Sequence, residues 1–458
     1  MTIRVLKFGG SVLSSGGDYL RAAYEIKKYL DEGSKIIVVV SAMKGVTDDL
    51  LRIVEKPTNW YERVTKLQEK HVEALKTMSL SDELSTTVFR EISTLFDELI
   101  KLAHAISITH EVTPRLRDYV LSFGERLSAI LMWSALTSIG IESTYLTGRD
   151  AGIITDENYG EAKPIMELTR RSVSETLTKY LNAGVVPVVT GFIAGTIDGR
   201  VTTLGRGGSD YTATLIASII NAKEVVLYTD VPGVLTGDPK FMSNVKLVNE
   251  LSYEEAIACA QLGAKKFHPR TFEPVIDTNI NTVITCMDCR DRTVVSSRLS
   301  PPPVKIVTLM RDLSLVILKG AALTKLSNIV HILAALSSKD VNTVSFIQQP
   351  TQTATSIIVK NDKLSEVLAL INELKRLEVI NDYNYITNIS IVSVIGYGLR
   401  DPSIVGYLLE DIVDIPTYGI LRGPYDVSLS VIIDSENAIK LAAKLHERMV
   451  KKWWINSI

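Results

Sequence analysis

TLGRGGSDYTATLIAS, residues 203–218, sets three glycines and one arginine directly before an apolar, helix-like run. Glycine is a poor helix former. Its density at a helix mouth points to a backbone that must approach a ligand closely, often an anion. Ser209 or Asp210 can cap the helix, and its first N–H groups then stay free at the positive dipole end. Arg206 can fork onto a carboxylate or phosphate. On either side, AGVVPVVTGF (183–192) and KEVVLYTDV (223–231) read as buried strands. Buried strands joined through helices predict a parallel sheet, and hence an α/β fold.

The N-terminus repeats the pattern. TIRVLKF (2–8) and KIIVVVSA (35–42) read as strands, with the helical spacing of DYLRAAYEIKKYLDEG (18–33) between them. Residues 48–139 read as mostly helical, and INTVITC (280–286) as a last strand. SRLSPPPVK (297–305) holds three consecutive prolines, which can continue neither a helix nor a central strand, so a domain boundary is placed there. Beyond it, two stretches share a β-α-β-β-α order. This is a degenerate repeat that predicts two small ferredoxin-like units, tandem or interleaved.

At 458 residues the chain is too long for one ordinary core. A net charge of -2 gives no global basic field, so no nucleic-acid partner is expected. Apolar runs such as IIVVV (36–40) are too short to span a bilayer, and the N-terminus does not read as a signal peptide. Three cysteines (Cys259, Cys286, Cys289) make no disulfide framework. These readings predict a cytoplasmic protein. The CMDC stretch (286–289) lacks the second Cys/His pair a structural zinc site needs, so no metal site is assigned. The six histidines are scattered and form no Ser-His-Asp or Cys-His arrangement.

Four stretches hold candidate chemistry. In KFGGS (7–11), Lys7 ends a strand before the Gly9-Gly10 turn and Ser11. The lysine precedes the glycines, so this is no Walker A loop. The layout still offers backbone N–H groups and a point charge to a phosphate. YTDVPGVLTGDPK (228–240) places Asp230 at a strand's C-terminal end, where ligands bind in open α/β sheets, with Lys240 within reach of a phosphate. In LSFGERLSA (121–129), Glu125 beside Arg126 reads as a solvated face. GAKKFHPR (263–270) puts two lysines at a helix end, which cations favour in any case. Two anion-cradling turns and a strand-end aspartate, with no general-base histidine, suit phosphoryl transfer.

Taken together, KFGGS, VVSAMKGVTDDL (39–50), SFGERLSA, VTGFIAG (189–195), TLGRGGSDYTA, YTDVPGV and LGAKKFHP resemble the aspartokinase family, and they stand in family order. The resemblance implies an amino-acid kinase domain over 1–298. It also implies two ACT units, over 304–380 and 386–458. It implies ATP-dependent phosphorylation of the β-carboxylate of L-aspartate, the first step towards lysine, threonine and methionine, with ATP and Mg²⁺. By resemblance Lys7 neutralises the transferring phosphoryl group, Asp210 organises Lys7, and Gly9, Gly10 and Ser11 contact phosphate. Thr47 and Glu125 hold aspartate. Arg206 clamps its α-carboxylate, assisted by Gly207, Gly208 and Ser209. Thr229 and Asp230 line the nucleotide, with Lys240 and Lys265 near its phosphates. Leu235 and Lys240 depart from the tyrosine and arginine common in the family's loop, so Leu235 receives no role. The ACT pair implies an amino-acid effector and a homodimer or homotetramer. Lysine-sensing relatives tend to keep an acidic residue where this chain has Ser345, and threonine-sensing relatives a glutamine where it has Gln349. That favours threonine over lysine. The alternatives are a sibling kinase acting on acetylglutamate, glutamate or carbamate, and a non-catalytic amino-acid sensor.

Overall fold

The computed structural model describes residues 2–264, 267–339, 341, 343–348, 353–423 and 426–454. The chain divides into two compact units. The first comprises residues 1–234, 247–260 and 265–300; the second comprises 235–246, 261–264 and 301–458. Two short segments that precede residue 300 therefore belong with the C-terminal unit.

Up to residue 300 the strands are Ile3–Phe8 (β1), Lys35–Val40 (β2), Ser143–Leu146 (β3), Val186–Thr190 (β4), Ile193–Gly195 (β5), Val201–Thr203 (β6), Glu224–Tyr228 (β7), Val234–Leu235 (β8), Leu247–Val248 (β9), Glu250–Ser252 (β10), Asn281–Thr285 (β11) and Arg292–Ser296 (β12). The helices are Gly16–Asp31 (α1), Val46–Glu55 (α2), Trp60–Thr77 (α3), Asp82–Thr109 (α4), Pro114–Ser138 (α5), Met166–Ala183 (α6), Gly208–Ile219 (α7) and Tyr253–Gln261 (α8). The main sheet runs β10-β12-β11-β7-β1-β2-β4-β3. Every pairing in it is parallel except β11 with β12. INTVITC is thus not the last strand. Arg292–Ser296 turns back beside it, and its short alternating pattern carries too little apolar signal to read as a strand on its own.

β1 lies mid-sheet, with Lys7 level with Val39 of β2 and Leu227 of β7. The chain leaves β1 for β2 on one side and only later, after β4, comes to β7 on the other, so the strand order reverses at β1 and the C-terminal edge opens a crevice at Lys7. α1 starts at a capping box: the Ser15 side chain accepts from Asp18 N–H, and the Asp18 carboxylate accepts from Ser15 N–H. α5 is buried on nearly all sides. A Cβ at Gly124 would sit 2.8 Å from Ala42 Cβ, so only glycine lets α5 lie against the segment after β2. Cys286 and Cys289, just past β11, are joined by a disulfide.

The second unit holds one six-stranded antiparallel sheet. Its strands are Ile306–Lys319 (β13), Ser345–Gln348 (β14), Ala354–Lys360 (β15), Asp382–Ile395 (β16), Thr417–Arg422 (β17) and Ser428–Asp434 (β18), in the order β14-β15-β13-β16-β18-β17. Leu326–Ser338 (α9), Leu364–Arg376 (α10), Pro402–Leu409 (α11) and Ser435–Met449 (α12) complete two β-α-β-β-α halves joined along β13 and β16. Segment 235–246 packs into the second half. Met242 joins the core of Leu429, Leu441 and Leu445. Thr236 N–H and C=O pair with Lys246 C=O and Val307 N–H, and the Thr236 hydroxyl meets His446 Nε2 at 2.8 Å.

Candidate active site

A cavity of about 490 Å³ opens at the C-terminal edge of the first unit's sheet. Three backbone devices converge on it. The Gly10–Val12 turn follows β1. α2 begins after Gly45, which caps it in the left-handed region at φ 81°. α7 begins after Gly207, at φ 75°. Two helix N-termini thus bring their positive dipole ends to one space. Lys7, Gly10, Ser11, Thr47, Glu125, Arg206, Gly207, Gly208, Ser209 and Asp210 line it. A second hollow of about 150 Å³ shares Lys7, Gly10, Ser11 and Asp210, and adds Gly9, Tyr228, Thr229, Phe267 and Ile284. Lys7 and Asp210 therefore stand on the wall common to both. Lys7 Nζ lies 2.5 Å from Asp210 Oδ1, and both side chains are largely shielded from water.

Glu125 corrects the solvated-face reading: it is 3% exposed. Consecutive helical residues point about 100° apart. Arg126 accordingly turns away to lie over the Phe123 ring and towards Glu98, leaving Glu125 to face the cavity. Glu125 Oε1 accepts from Ala42 N–H at 3.2 Å, while Oε2 is buried without a partner. Burial pushes the Glu125 carboxyl up to about 8, against the weaker opposing pull of the Ala42 N–H and of Lys7. A buried, half-satisfied carboxyl facing a polar cavity is suited to receive a cation from a ligand.

The loop before α7 is held from below by α5. The fully buried Asp118 accepts from Thr203 N–H at 2.8 Å, from the Thr203 hydroxyl at 2.9 Å and from Gly160 N–H at 2.9 Å. On another side, Arg270 donates to the Leu204 carbonyl at 3.0 Å and lies over the Tyr211 ring.

Other expected residues lie elsewhere. Thr229 lines the smaller hollow and donates its hydroxyl to Asp230, which lines neither cavity. Lys240 and Ser345 belong to the second unit. Lys265 and Gln349 fall outside the described residues. Lys44, Asp48 and Phe192 also line the larger cavity and were not singled out as site residues. Phe192 sits at φ 64°, a left-handed conformation that is rare for an aromatic residue and that residue type does not reveal. Among the described residues, no cluster of three or more His, Cys, Asp or Glu side chains is placed to hold a metal ion. No helix among them is long and apolar enough to cross a membrane.

Comparison with known proteins places this geometry. The profile of the Amino acid kinase family matches residues 2–286. A curated relative from Geobacillus stearothermophilus, named Aspartokinase, is 26% identical over 455 residues, spanning 98% of this chain and 97% of its own. The structure of E. coli aspartokinase III in complex with aspartate and ADP superposes with a TM-score of 0.83 at 25% identity, covering 98% of this chain and 99% of that one. The same enzyme in complex with lysine and aspartate gives a TM-score of 0.79 at 25% identity, over 97% and 99% of the two chains.

Proposed function

Since the chain belongs to the amino acid kinase family, we propose that its larger cavity takes L-aspartate, its smaller hollow the ATP phosphates, and that it is an aspartate kinase. The single observation that carries this reading is that Lys7 and Arg206, from two separate turns, line one cavity. Glu125 takes the substrate ammonium through its partnerless oxygen, and Arg206 takes the α-carboxylate. Thr47 and Ser209 complete the cradle from the starts of α2 and α7. The β-carboxylate then points at Lys7.

A β-carboxylate oxygen attacks the γ-phosphorus. The new O–P bond forms as the bridge to the β-phosphate breaks, and ADP leaves with that electron pair. The attacking carboxylate is already ionised at neutral pH, so no base is required. Lys7, oriented by Asp210, neutralises charge that builds on the moving phosphoryl group. The N–H groups at Gly9, Gly10 and Ser11 contact phosphate oxygens. Thr229 and Asp230 are assigned to the nucleoside and, by resemblance, Lys265 to its phosphates. Mg²⁺ arriving with ATP would add positive charge beside Lys7, and Asp210, which lines the smaller hollow, is the carboxylate that would hold it through its waters.

The C-terminal unit is assigned as the paired ACT module, binding an end-product amino acid as feedback inhibitor. Lysine, bound in the E. coli relative, and threonine, favoured by Gln349 and by the missing acid at Ser345, are the effectors to compare. Leu326, Val330 and Leu333 form an exposed apolar stripe on α9, which supports self-association of this unit.

The test is ATP with L-aspartate and hydroxylamine, trapping the acyl phosphate as its hydroxamate. Product with glutamate alone would reassign the substrate. No product with any carboxylate, while threonine or lysine still binds, would favour a sensor. Adding each amino acid to the working assay identifies the inhibitor.

A further inference from the structure

Asp118 is wholly buried in the first unit, has no role in the reaction as proposed, and spends both oxygens on one loop system. Oδ2 takes the N–H groups of Gly160 and Thr203; Oδ1 takes the Thr203 hydroxyl. Thr203 ends β6, two residues before Gly205 and three before Arg206. The Thr203 carbonyl accepts from Ala162 N–H at 2.9 Å, so the 160–162 segment and β6 are tied together as well. Gly205 rests on that segment: a Cβ there would lie 3.2 Å from both the Gly160 carbonyl and Glu161 Cγ. One buried carboxylate therefore fastens the base of the Arg206 loop to α5, while Arg270 holds the next residue, Leu204, from another side.

That carboxylate sits on α5, seven residues before Glu125. Seven residues are two helical turns, roughly 10 Å along one face. The same rigid rod carries the group facing the substrate ammonium at one point and fastens the loop bearing the carboxylate clamp at another. We propose that Asp118 is a positioning residue for the amino-acid substrate, setting the Arg206 loop against Glu125 so that both α-substituents of aspartate are gripped in register. This rests on the aspartate-kinase reading. The nucleotide side is built differently, from the ends of β1, β7 and β11, to which Asp118 makes no hydrogen bond.

Asp118→Asn keeps the shape but removes the charge that strengthens all three bonds, and its N–H₂ obliges the Thr203 hydroxyl to turn round and accept. It should raise KM for L-aspartate by about 10–100-fold, the loss that misplacement by about 1 Å brings, while KM for ATP stays within about twofold. A staple of the fold alone would not divide the two constants in this way. Thr203→Val removes only the hydroxyl contact and keeps the volume. It should raise KM for aspartate by about threefold, one hydrogen bond's worth, with the ATP constant unchanged. It also supplies the test should Asp118→Asn fail to fold. The proposal is overturned if both constants rise together in Asp118→Asn, or if Thr203→Val leaves the aspartate constant at the wild-type value. Wild-type protein that yields no aspartyl hydroxamate would sink the substrate assignment along with it. An active wild type without the divided response would sink the positioning role alone.

Discussion

The two glycine-rich turns that meet at the cavity use the same residue for opposite reasons. Gly9 and Gly10 are glycines because neighbours are close: a Cβ at Gly10 would lie 2.8 Å from the Ala42 carbonyl, and one at Gly9 would lie 3.2 Å from Lys7 Nζ. Gly9 itself has an ordinary extended backbone. Gly205 and Gly207 are glycines because the chain turns left-handed there, at φ 76° and 75°. At Gly207 crowding is added, since a Cβ would come within 2.4 Å of His268 Cβ. In the proposed reaction the first turn would bring Lys7 to the reacting phosphate and the second would turn Arg206 towards the substrate's fixed end, so that one serves the transition state and the other the ground state.

The sharpest way to break this contrast is kinetic. Lys7→Ala should lower kcat by about 10³-fold, as removal of an electrostatic stabiliser does, with little change in KM for ATP. Arg206→Ala should act mainly on KM for aspartate, by about 10–100-fold, as loss of a charge-assisted pair does. Both variants falling on the same constant in steady-state assays would erase the distinction.

Urea melts separate crowding from handedness. Gly207→Ala faces both and should lose about 3 kcal/mol or more. Gly10→Ala faces only the Ala42 carbonyl and should lose about 1–3 kcal/mol. Gly45→Ala, left-handed but with open space around it, should lose only about 1 kcal/mol. Equal losses at Gly207 and Gly45 would mean that His268 yields without cost.

The ground-state side should also respond to pH. With its carboxyl raised to about 8, Glu125 holds a proton in the empty site at neutral pH and must release it to meet an ammonium. KM for aspartate should therefore fall by up to about tenfold per unit as pH rises from 6 towards 8. Glu125→Gln should flatten that slope, and a wild-type profile that is flat from pH 6 to 8 would remove Glu125 from substrate binding. In the second unit, Thr236→Val should cost about 1–3 kcal/mol of stability, because its hydroxyl meets His446 Nε2 and also accepts from Lys246 N–H, without touching either Michaelis constant.

The sequence announced the strands of the parallel sheet because fully buried strands are continuous apolar runs. β2, β4 and β7 fall within stretches that read so, whereas β1 falls within one whose apolar residues alternate. Both glycine turns were legible for a similar reason, since glycine is conspicuous by type. Glu125 was not. Its helix is apolar on nearly every side, so periodicity reports no preferred face, and an adjacent arginine mimics a surface pair. Asp118 was hidden in the same helix: nothing local distinguishes a solvated aspartate from one that fastens a loop 85 residues away. Phe192 needed a backbone angle, and segment 235–246 needed the tertiary contacts that assign it to the second unit.

That last assignment bears on dissection of the molecule. The polypeptide passes between its two units four times before the triple proline, so no single scission yields two intact modules. A fragment ending at Ser300 would keep Thr236 and Met242 while discarding His446 and the leucines they pack against. The complementary C-terminal fragment would carry a trench where that segment belongs. Neither unit can be snipped off like a tag, because both are laced together by the thread of the chain itself.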